Sequence, residues 1–384
     1  MALNFDLTEE QQILRDSVRK FAENAIRPVA RELDEKEHFS LDTLRMMAEM
    51  GLFGVVVSPR YSGQGLDYVA YILAVEELAR VDGSHAATIA AGNSLGIAPI
   101  YYYGNEEQKK KYLPKLCKGE GLWGFGLTEP DAGSDAGSSR TTAVLDGNEW
   151  VLNGSKIFIT NAASPISLGV TIQAVTEKRP NSRPELSCFL LEHGTKGFEA
   201  KEMHGKMMWR SSNTAELYFE DCRIPKDNIL GKRGDGFHQM LATLDGGRLS
   251  IGAMGLGCAQ DSFDLALNYA QQRVQFGKPI CKFQAIAFKL ADMAMELEAG
   301  RNLMYKACWL RDQNRPFAKE AAMAKLYCAK LAHRVSDEAV QIHGGYGLMR
   351  EYDVERFYRD AKLLEIGEGT NEIQHIVIAR QIGC

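Results

Sequence analysis

Two helix-rich segments enclose a segment of short, strand-like runs, and this order excludes most common architectures. Up to residue 120 and again after Gly236, apolar residues recur at helical spacing, as they do between Ile13 and Ala25. Between these segments lie short runs rich in β-branched and aromatic residues, bounded by turn residues. Because strands and helices do not alternate, a parallel βαβ sheet is excluded and the sequence predicts an α+β protein.

The two changes in character divide the 384 residues into three expected domains. Residues 1–120 are predicted to form an N-terminal α-helical domain, residues 121–230 a middle β-domain, and residues 231–384 a C-terminal α-helical bundle domain. A chain of this length commonly forms two or three folding units. The sequence has no repeat with a fixed period of roughly 20–50 residues, so a solenoid or propeller is not expected.

Residues that favour helix ends mark several boundaries. Thr8 and Gln11 form a capping-box pattern, and Pro28 indicates a kink or boundary further along. Gly344 is predicted to end one helix as a left-handed residue, and Thr370 is predicted to cap the last helix. Further helices are expected at 41–50, 68–80, 283–297, 318–343, 354–366 and 371–382, with a loop at 58–65.

Turn residues and β-branched runs predict the strands of the middle segment. Asp146-Gly147 and Asn153-Gly154 are both signals of a tight hairpin. The second signal implies that the chain reverses between two short strands. Strands are expected at 142–145, 150–152, 156–160, 166–175, 186–191 and 215–219.

Composition and charge exclude several classes of protein. The 45 basic and 50 acidic side chains give a net charge of −5, whereas chains that bind nucleic acid usually carry a basic excess. No apolar stretch of about 18 residues is present, so no membrane insertion is expected. The first residues lack the pattern of a signal or transit peptide, and no two cysteines are spaced as C-x-x-C. We therefore expect a cytoplasmic protein with reduced, mostly buried cysteines.

Several common catalytic motifs are absent from the sequence. There is no G-x-x-x-x-G-K-[ST] phosphate loop and no H-E-x-x-H zinc motif. Gly255 and Gly257 lack the third glycine of a dinucleotide-binding fingerprint and lie in a helical segment. The histidines have no metal-ligand spacing, so we expect each of them at a surface or packing position and predict no metal site.

Three glycine-containing segments remain as candidate sites. Residues 126–138 combine small residues, which let the backbone approach a flat ligand, with hydroxyls that can hydrogen-bond its polar edge. Residues 341–347 lie at a predicted helix end. Glu368 lies between two glycines on a loop, where a carboxylate can act as a base toward a bound substrate. Taken singly, each segment is equally typical of an ordinary loop, and Glu368 of a solvated side chain.

Taken together, these segments resemble the acyl-CoA dehydrogenase family, and the match runs essentially from end to end. Residues 126–138 fit the first signature of that family and residues 341–360 fit the second. Residues 273–279 (RVQFGKP) resemble the segment that contacts the FAD pyrophosphate, and Gln284 lies at a further FAD contact. The resemblance implies a helical domain, a β-domain and a four-helix domain with FAD at their junction. It also implies a homotetramer and a bacterial-like enzyme for short, branched or cyclic acyl-CoA.

The resemblance also assigns binding residues. The flavin ring is expected between residues 125–134 and 158–160, where Phe158 replaces a common Trp, while Arg273 and residues 341–345 are expected to reach the FAD of a neighbouring subunit. The expected cofactor-binding residues are Phe125, Leu127, Thr128, Gly133, Ser134, Phe158, Ile159, Thr160, Arg273, Phe276, Gln284, Gln341, Gly344, Gly345, Thr370 and Glu372. Those expected to contact the acyl-CoA are Ser134, Asp245, Arg248 and Gly369.

The reaction implied by the resemblance is α,β-dehydrogenation of an acyl-CoA thioester to the 2-enoyl-CoA. Glu368 is the implied base for the α-proton, and hydride passes from the β-carbon to flavin N5. The backbone N–H of Glu368 and a hydroxyl of FAD are the implied donors to the thioester carbonyl. Enclosure in an apolar pocket should raise the pKa of the carboxylate. The implied electron acceptor is an electron-transfer flavoprotein.

Three departures from the family pattern bear on the substrate. Some relatives carry the base just before the arginine equivalent to Arg248, but Gly247 here cannot be a base. Glutaryl-type relatives carry an arginine within the segment equivalent to residues 84–95, which has none, and His85 is expected at the surface. Gly367 replaces a common Tyr, which makes room for a branched, alicyclic or aryl acyl chain unless another side chain fills the gap.

Two functions of other classes stay open at this point. One is a flavin oxidase on the same fold, in which Asp commonly replaces the catalytic Glu. The other is a non-catalytic relative that binds nucleic acid. The presence of Glu368 disfavours both, and the net charge of −5 disfavours the second.

Overall fold

The N-terminal helices form where the sequence predicts them. In the computed structural model, which describes residues 6–178 and 183–384, α1 (Glu9–Phe21) begins with Thr8 and Gln11 in the predicted capping box. A π-helical turn joins α1 to α2 (Arg27–Lys36) without a break in the helical conformation, and Pro28 is the second residue of α2. The remaining helices of this part are α3 (Leu41–Glu49), α4 (Tyr68–Ala79), α5 (Gly83–Ala91), α6 (Ala98–Tyr103) and α7 (Glu106–Cys117).

The middle part of the chain forms one eight-stranded sheet. Seven strands follow the order β6-β7-β3-β2-β4-β5-β8, and β1 pairs in parallel with β4. Large apolar side chains such as Trp150, Phe189 and Leu217 form its core. The strands are β1 (Leu122–Gly126), β2 (Thr142–Asp146), β3 (Glu149–Thr160), β4 (Ser167–Glu177), β5 (Glu185–Glu192), β6 (Phe198–Glu202), β7 (Thr214–Pro225) and β8 (Ile229–Leu230).

One of the two predicted hairpins does not form. β2 and β3 are joined at Asp146-Gly147 as predicted, with Asp146 opposite Glu149. Asn153-Gly154, however, lies inside β3, and the prediction of a chain reversal there is wrong. Gly154 has a φ of +141°, and a Cβ at this position would lie 2.6 Å from Thr141 Oγ1. Gly154 therefore lies at a shift of register in the β3–β7 pairing and not in a turn.

The C-terminal part is helical apart from a short β-hairpin. Its elements are α8 (Gly236–Gln272), β9 (Val274–Gln275), β10 (Lys278–Pro279), α9 (Gln284–Asp312), α10 (Ala318–His343), α11 (Val354–Leu364) and α12 (Asn371–Ile382). The helix α10 packs against α8, α9, α11 and α12. Thr370 caps α12 as predicted, because its Oγ1 accepts a hydrogen bond from Ile373 N at 3.3 Å.

The conformation of Gly344 differs from the predicted left-handed helix end. Its φ of +60° is positive, but its ψ of −137° lies outside the left-handed helical region. The chain enters a 3₁₀ segment (Gly344–Leu348) instead of turning away from α10. Such a backbone conformation is almost restricted to glycine.

Buried polar contacts join the three parts of the chain. Arg27 of α2 donates to Asp261 of α8 at 3.0 Å, and Arg301 of α9 donates to Glu76 of α4 at 3.1 Å. The backbone N–H of Trp209, in the loop before β7, donates to the Asp360 carboxylate at 2.8 Å. The domains are therefore fixed against one another by specific hydrogen bonds.

His85 is buried, so the expectation of a surface position is wrong. Its Nδ1 lies 2.6 Å from Asp82 Oδ2, and its Nε2 lies 2.8 Å from Thr43 Oγ1. Asp82 is the N-cap of α5, and its carboxylate also accepts the His85 backbone N–H. Both ring nitrogens are thus engaged, and the contact of Nε2 joins α5 to α3.

The cysteines are free thiols, and six of the eight are buried, as expected. They are Cys117, Cys188, Cys222, Cys258, Cys308 and Cys328. In the part of the chain that the structure describes, no helix is both long and apolar enough to span a membrane. No group of three metal-binding side chains is found among the same residues.

Candidate active site

Glu368 lies in the loop between α11 and α12 in a strained backbone conformation. Its φ is +51°, and that of the following Gly369 is +92°. The left-handed region is disfavoured for a residue with a side chain, so neighbouring groups must hold the loop. The side chain is half-buried, and its buried Oε2 has no hydrogen-bond partner within the described residues. This oxygen is therefore free to accept a proton from a bound ligand.

Burial raises the pKa of Glu368 to about 7. Loss of hydration disfavours the carboxylate, while the positive charges of Lys325 and Arg248 oppose this effect. A carboxylate with this pKa is a stronger base than a solvated glutamate and is still ionised near neutral pH. The raised pKa that enclosure predicts is confirmed, and the alternative of a solvated side chain is wrong.

The helix α8 forms the wall that faces the Glu368 carboxylate. A Cβ at Gly247 would overlap Glu368 Oε2, so glycine leaves the room that this carboxylate occupies. The next residue, Arg248, is buried and forms an ion pair with Asp245. The structure thus brings Glu368, Asp245, Arg248 and Gly369 together, as the resemblance implies. It also places both family positions for the base, 247 and 368, in one pocket.

Lys325 belongs to this pocket, and the sequence reasoning missed it. Its side chain on α10 is fully buried, and its Nζ donates to the Gly369 carbonyl oxygen at 2.8 Å. Gln374 Nε2 donates to the same oxygen at 2.8 Å. A signal was present, because Lys325 stands among small and apolar residues of a helix face that the fold buries.

Two tyrosines of α4 and one glycine complete the pocket around Glu368. Tyr68 and Tyr71 are buried, burial raises the pKa of both phenols, and both interact electrostatically with Glu368. At Gly367, the nearest atom to an added Cβ is Leu363 O, at 3.5 Å. Since this is an ordinary contact distance, a Cβ at Gly367 fits without displacing its neighbours.

A second group of predicted residues lies on the β-domain. The side chain of Phe158 is 63% exposed, and its backbone has a φ of +62°. Gly133 and Ser134 are exposed as well. An exposed aromatic ring in a strained conformation fits a planar ligand. Ile159 is packed in the core of the sheet, so it can offer a ligand only its backbone. Of the other predicted residues of this group, Phe125 and Leu127 are buried, and Thr128 and Thr160 are half-buried.

A third group forms what we call the exposed corner of the C-terminal domain: Arg273, Phe276, Gly344, Gly345 and Tyr346. Phe276 is 94% exposed, and the Arg273 guanidinium lies 5.6 Å from the centre of the Tyr346 ring. An added Cβ at Gly344 or Gly345 has no heavy atom within 4 Å. The described part of the chain leaves this corner uncovered. The predicted residues Gln284 and Gln341 are also exposed.

The residues Thr370 and Glu372 lie at the start of α12, next to the Glu368 loop. Glu372 is exposed and Thr370 half-buried. The free N–H groups of a first helical turn favour an anion. Here, however, the N–H groups of Asn371 and Ile373 already donate to Glu365 O and Thr370 Oγ1, so this end of α12 leaves little of its first turn free for a phosphate group.

Comparison with known proteins links the whole chain to one family. Family models named acyl-CoA dehydrogenase N-terminal, middle and C-terminal domain match residues 8–120, 124–222 and 234–383. The chain is 50% identical to the probable acyl-CoA dehydrogenase YngJ of Bacillus subtilis, over 99% of this chain and 100% of that protein.

Two solved structures are similar over nearly the full chain. Butyryl-CoA dehydrogenase from Megasphaera elsdenii is 43% identical with a TM-score of 0.95, covering 99% of this chain and 100% of that chain. A chain from the structure of the electron transferring flavoprotein of Acidaminococcus fermentans is 44% identical with a TM-score of 0.96, again covering 99% and 100%.

Proposed function

The chain belongs to the acyl-CoA dehydrogenase family, and we propose that it converts an acyl-CoA to the 2-enoyl-CoA with Glu368 as the base. It is an oxidoreductase with the three-domain fold and the FAD cofactor of this family. The observation that carries the proposal is the Glu368 carboxylate. Its Oε2 is buried without a hydrogen-bond partner in the described residues, and the pKa of the group is about 7.

The loop that carries Glu368 supplies two groups to the reaction. The carboxylate removes the α-proton, which is only weakly acidic until the thioester carbonyl is polarised. Among the described residues, none accepts a hydrogen bond from the Glu368 backbone N–H. This N–H is therefore available to the thioester oxygen, where negative charge develops as the proton leaves. When bound, FAD would supply the acceptor for the hydride from the β-carbon.

The residues of the β-domain and Arg273 fit this cofactor. The exposed ring of Phe158 offers a face to the flavin, and an added Cβ at Gly133 has no heavy atom within 4 Å, which leaves room for a flat ligand. The start of α12 lies beside the Glu368 loop, and the Arg273 guanidinium suits the pyrophosphate. Gly133 and Phe158 would contact the FAD that Glu368 serves, whereas Arg273, in the exposed corner, would reach the FAD of a neighbouring subunit.

The exposed corner supports a homotetramer in which a neighbouring subunit completes each FAD site. Phe276, at 94% exposed, and Leu348, at 75%, are apolar side chains that an isolated chain would leave in water. Patches of this kind commonly mark an interface. The likeness to a chain in the Acidaminococcus fermentans structure supports an electron-transfer flavoprotein as the acceptor, and the expected compartment remains the cytoplasm.

The pocket favours a short or branched acyl chain over a dicarboxylic one. The open space at Gly367 lies next to the base, where a methyl branch or ring would need it. His85 is held by Asp82 and Thr43, so its ring is not free to bind a distal carboxylate. The likeness to butyryl-CoA dehydrogenase supports short straight chains as further substrates.

A panel of acyl-CoAs added to the purified protein under anaerobic conditions tests this function. Straight, branched, alicyclic and aryl acyl-CoAs should bleach the yellow flavin at unequal rates, because one methylene changes binding in a pocket by only about 1–3 kcal/mol. Electrons should then pass to an electron-transfer flavoprotein. Rapid reoxidation by oxygen during turnover would instead indicate an oxidase, and absence of bleaching with every acyl-CoA would contradict the proposal.

A further inference from the structure

Lys325 is a buried cation without a carboxylate partner. Its exposed fraction is 0%, and within the described residues its Nζ makes a hydrogen bond to the Gly369 carbonyl but no ion pair. Lys156, which is equally buried, has the carboxylate of Glu129 at 2.7 Å. Since an unpaired ammonium in the interior is costly, the position of Lys325 demands an explanation other than stability.

We propose that Lys325 is a positioning residue for the reaction of Glu368. Its Nζ holds the Gly369 carbonyl and with it the backbone turn that carries the base, and its charge favours the carboxylate form of Glu368. This inference rests on the proposed role of Glu368 as the base. It gives a role in the reaction to a residue of α10, a helix in which no catalytic residue was expected.

The hydrogen bonds to Gly369 O account for the first part of this role. Gln374 Nε2 and Lys325 Nζ both donate to this oxygen at 2.8 Å. Gln374 lies on the adjoining helix α12, whereas Lys325 reaches the loop from α10. Lys325 therefore ties the strained turn to the helix bundle, and fixing the peptide after Glu368 limits where the carboxylate can point.

The charges around Glu368 account for the second part. Arg248 on α8 also faces the carboxylate, but its charge is already paired with Asp245. Lys325 is the cation with no such partner among the described residues. The other titratable groups that act on this pair are Tyr68 and Tyr71 on α4, Glu365 before the loop, and Glu372 on α12.

The titration of the two groups defines a narrow working range. Burial raises the pKa of Glu368 to about 7 and lowers the pKa of Lys325 to about 8. Each charge opposes the shift of the other. Below the first value the base is protonated, and above the second Lys325 loses its charge.

Three variants separate the hydrogen bond from the charge. Lys325→Gln keeps a hydrogen-bond donor toward Gly369 but removes the charge. Lys325→Met removes both the donor and the charge, and Lys325→Arg keeps both. Anaerobic flavin reduction is measured across the pH range for each variant. For Lys325→Gln we expect the acid limb to move up by about 1 pH unit and the plateau to fall less than in Lys325→Met, because the amide keeps a donor. Lys325→Met should show the same shift with a plateau lowered about 10-fold, and Lys325→Arg should return the limb toward that of wild type.

Two results would overturn the inference. If the acid limb of Lys325→Gln coincides with that of wild type, the charge of Lys325 does not favour the ionised form of Glu368. If the rate plateau of Lys325→Met equals that of wild type, the hydrogen bond to Gly369 does not position the base. A purely structural lysine would lower FAD content and thermal stability in all variants and leave the acid limb in place.

An infrared titration tests the electrostatic role without turnover. The carboxylic acid band that disappears in the Glu368→Gln variant reports protonation of Glu368, and its midpoint should rise in Lys325→Gln. If no acyl-CoA bleaches the wild-type flavin, the proposed function fails, but this midpoint still tests Lys325. An unchanged midpoint would contradict the inference even in an active enzyme.

Discussion

The pocket around Glu368 and the exposed corner are both expected parts of one active site, but the chain completes only the pocket. In the pocket, the missing side chain of Gly247 makes room for the Glu368 carboxylate of the same chain. In the corner, the missing side chains of Gly344 and Gly345 face empty space, and Phe276 is 94% exposed. Glycine thus leaves room for a group of the same chain in the pocket, and in the corner it leaves open surface where the proposed neighbouring subunit would lie.

This difference separates chemistry from cofactor retention. The pocket is buried by α8, α10 and the Glu368 loop, so its properties depend on contacts within one chain. The corner can be covered only by a group from outside the described chain, so its contribution depends on assembly. Variants in the pocket should change the rate at constant FAD content, and variants in the corner should change FAD content at a constant rate per flavin.

The largest effect is expected for Glu368→Gln. The amide keeps the shape but cannot accept the α-proton, so anaerobic flavin reduction should fall by about 10³-fold or more while the protein stays yellow. Glu298→Gln removes an equal charge from an exposed position of the same domain and serves as the control. Near-normal reduction in Glu368→Gln would show that the pocket does not hold the base.

Glu368→Gln should also be more stable than wild type at high pH. Because burial raises the pKa of Glu368 from 4.5 to about 7, the folded state binds the proton more tightly than the unfolded state. Stability is therefore lost as pH rises from about 4.5 to about 7. Above that range the loss is at most about 3 kcal/mol. Glu368→Gln should raise the unfolding temperature at pH 8 but not at pH 4, measured at matched FAD content. Equal unfolding temperatures at pH 8 would contradict the burial of this charge.

Gly247→Ala should disturb the geometry of the pocket. The added Cβ overlaps Glu368 Oε2, the end of a flexible side chain, so the carboxylate shifts and the helix stays intact. A displacement of about 1 Å commonly costs about 10²-fold in rate. Asn268→Ala, at an exposed position of the same helix α8, is the control. Equal rates for the two variants would mean that Gly247 does not set the position of the base.

Arg273→Ala should change the FAD content and leave the rate per flavin constant, unlike the variants of the pocket. Loss of the guanidinium should weaken FAD binding about 10-fold and lower the thermal stability together, because ligand binding stabilises the folded assembly. The rate per bound flavin should stay near that of wild type. Arg350→Ala, an exposed arginine of the same domain, is the control. A protein that sediments as a monomer with full FAD would contradict a shared site.

The sequence predicted features that depend on local residue pattern. The capping box at Thr8 and the N-cap Thr370 are decided by neighbours within a few residues, and both are confirmed. The predicted bounds of α10 are confirmed as well, although Gly344 does not adopt the predicted left-handed conformation. The resemblance of whole segments identified Glu368, which no single motif did.

Features that depend on distant packing were not predictable. Asn153-Gly154 forms part of a strand because Gly154 packs against Thr141. The environment of Lys325 exists only once α10 packs against α8 and the Glu368 loop closes over it. His85 is buried because Asp82 and Thr43 satisfy its ring. In each case a contact between residues far apart in sequence decides the environment.

The smallest effect is expected at Gly367, which tests whether a glycine of the pocket can make room for substrate as well as for Glu368. An added Cβ there meets nothing closer than Leu363 O at 3.5 Å, so the first atom of a side chain fits without a backbone clash. Gly367→Tyr should slow branched, alicyclic and aryl acyl-CoAs about 10-fold and butyryl-CoA much less, because each excluded methylene costs about 1–3 kcal/mol. Gly367→Ala adds only the Cβ and should leave the order of substrates unchanged. Equal slowing of all substrates by Gly367→Tyr, or a wild type limited to straight chains, would show that the space beside Gly367 does not select the acyl group.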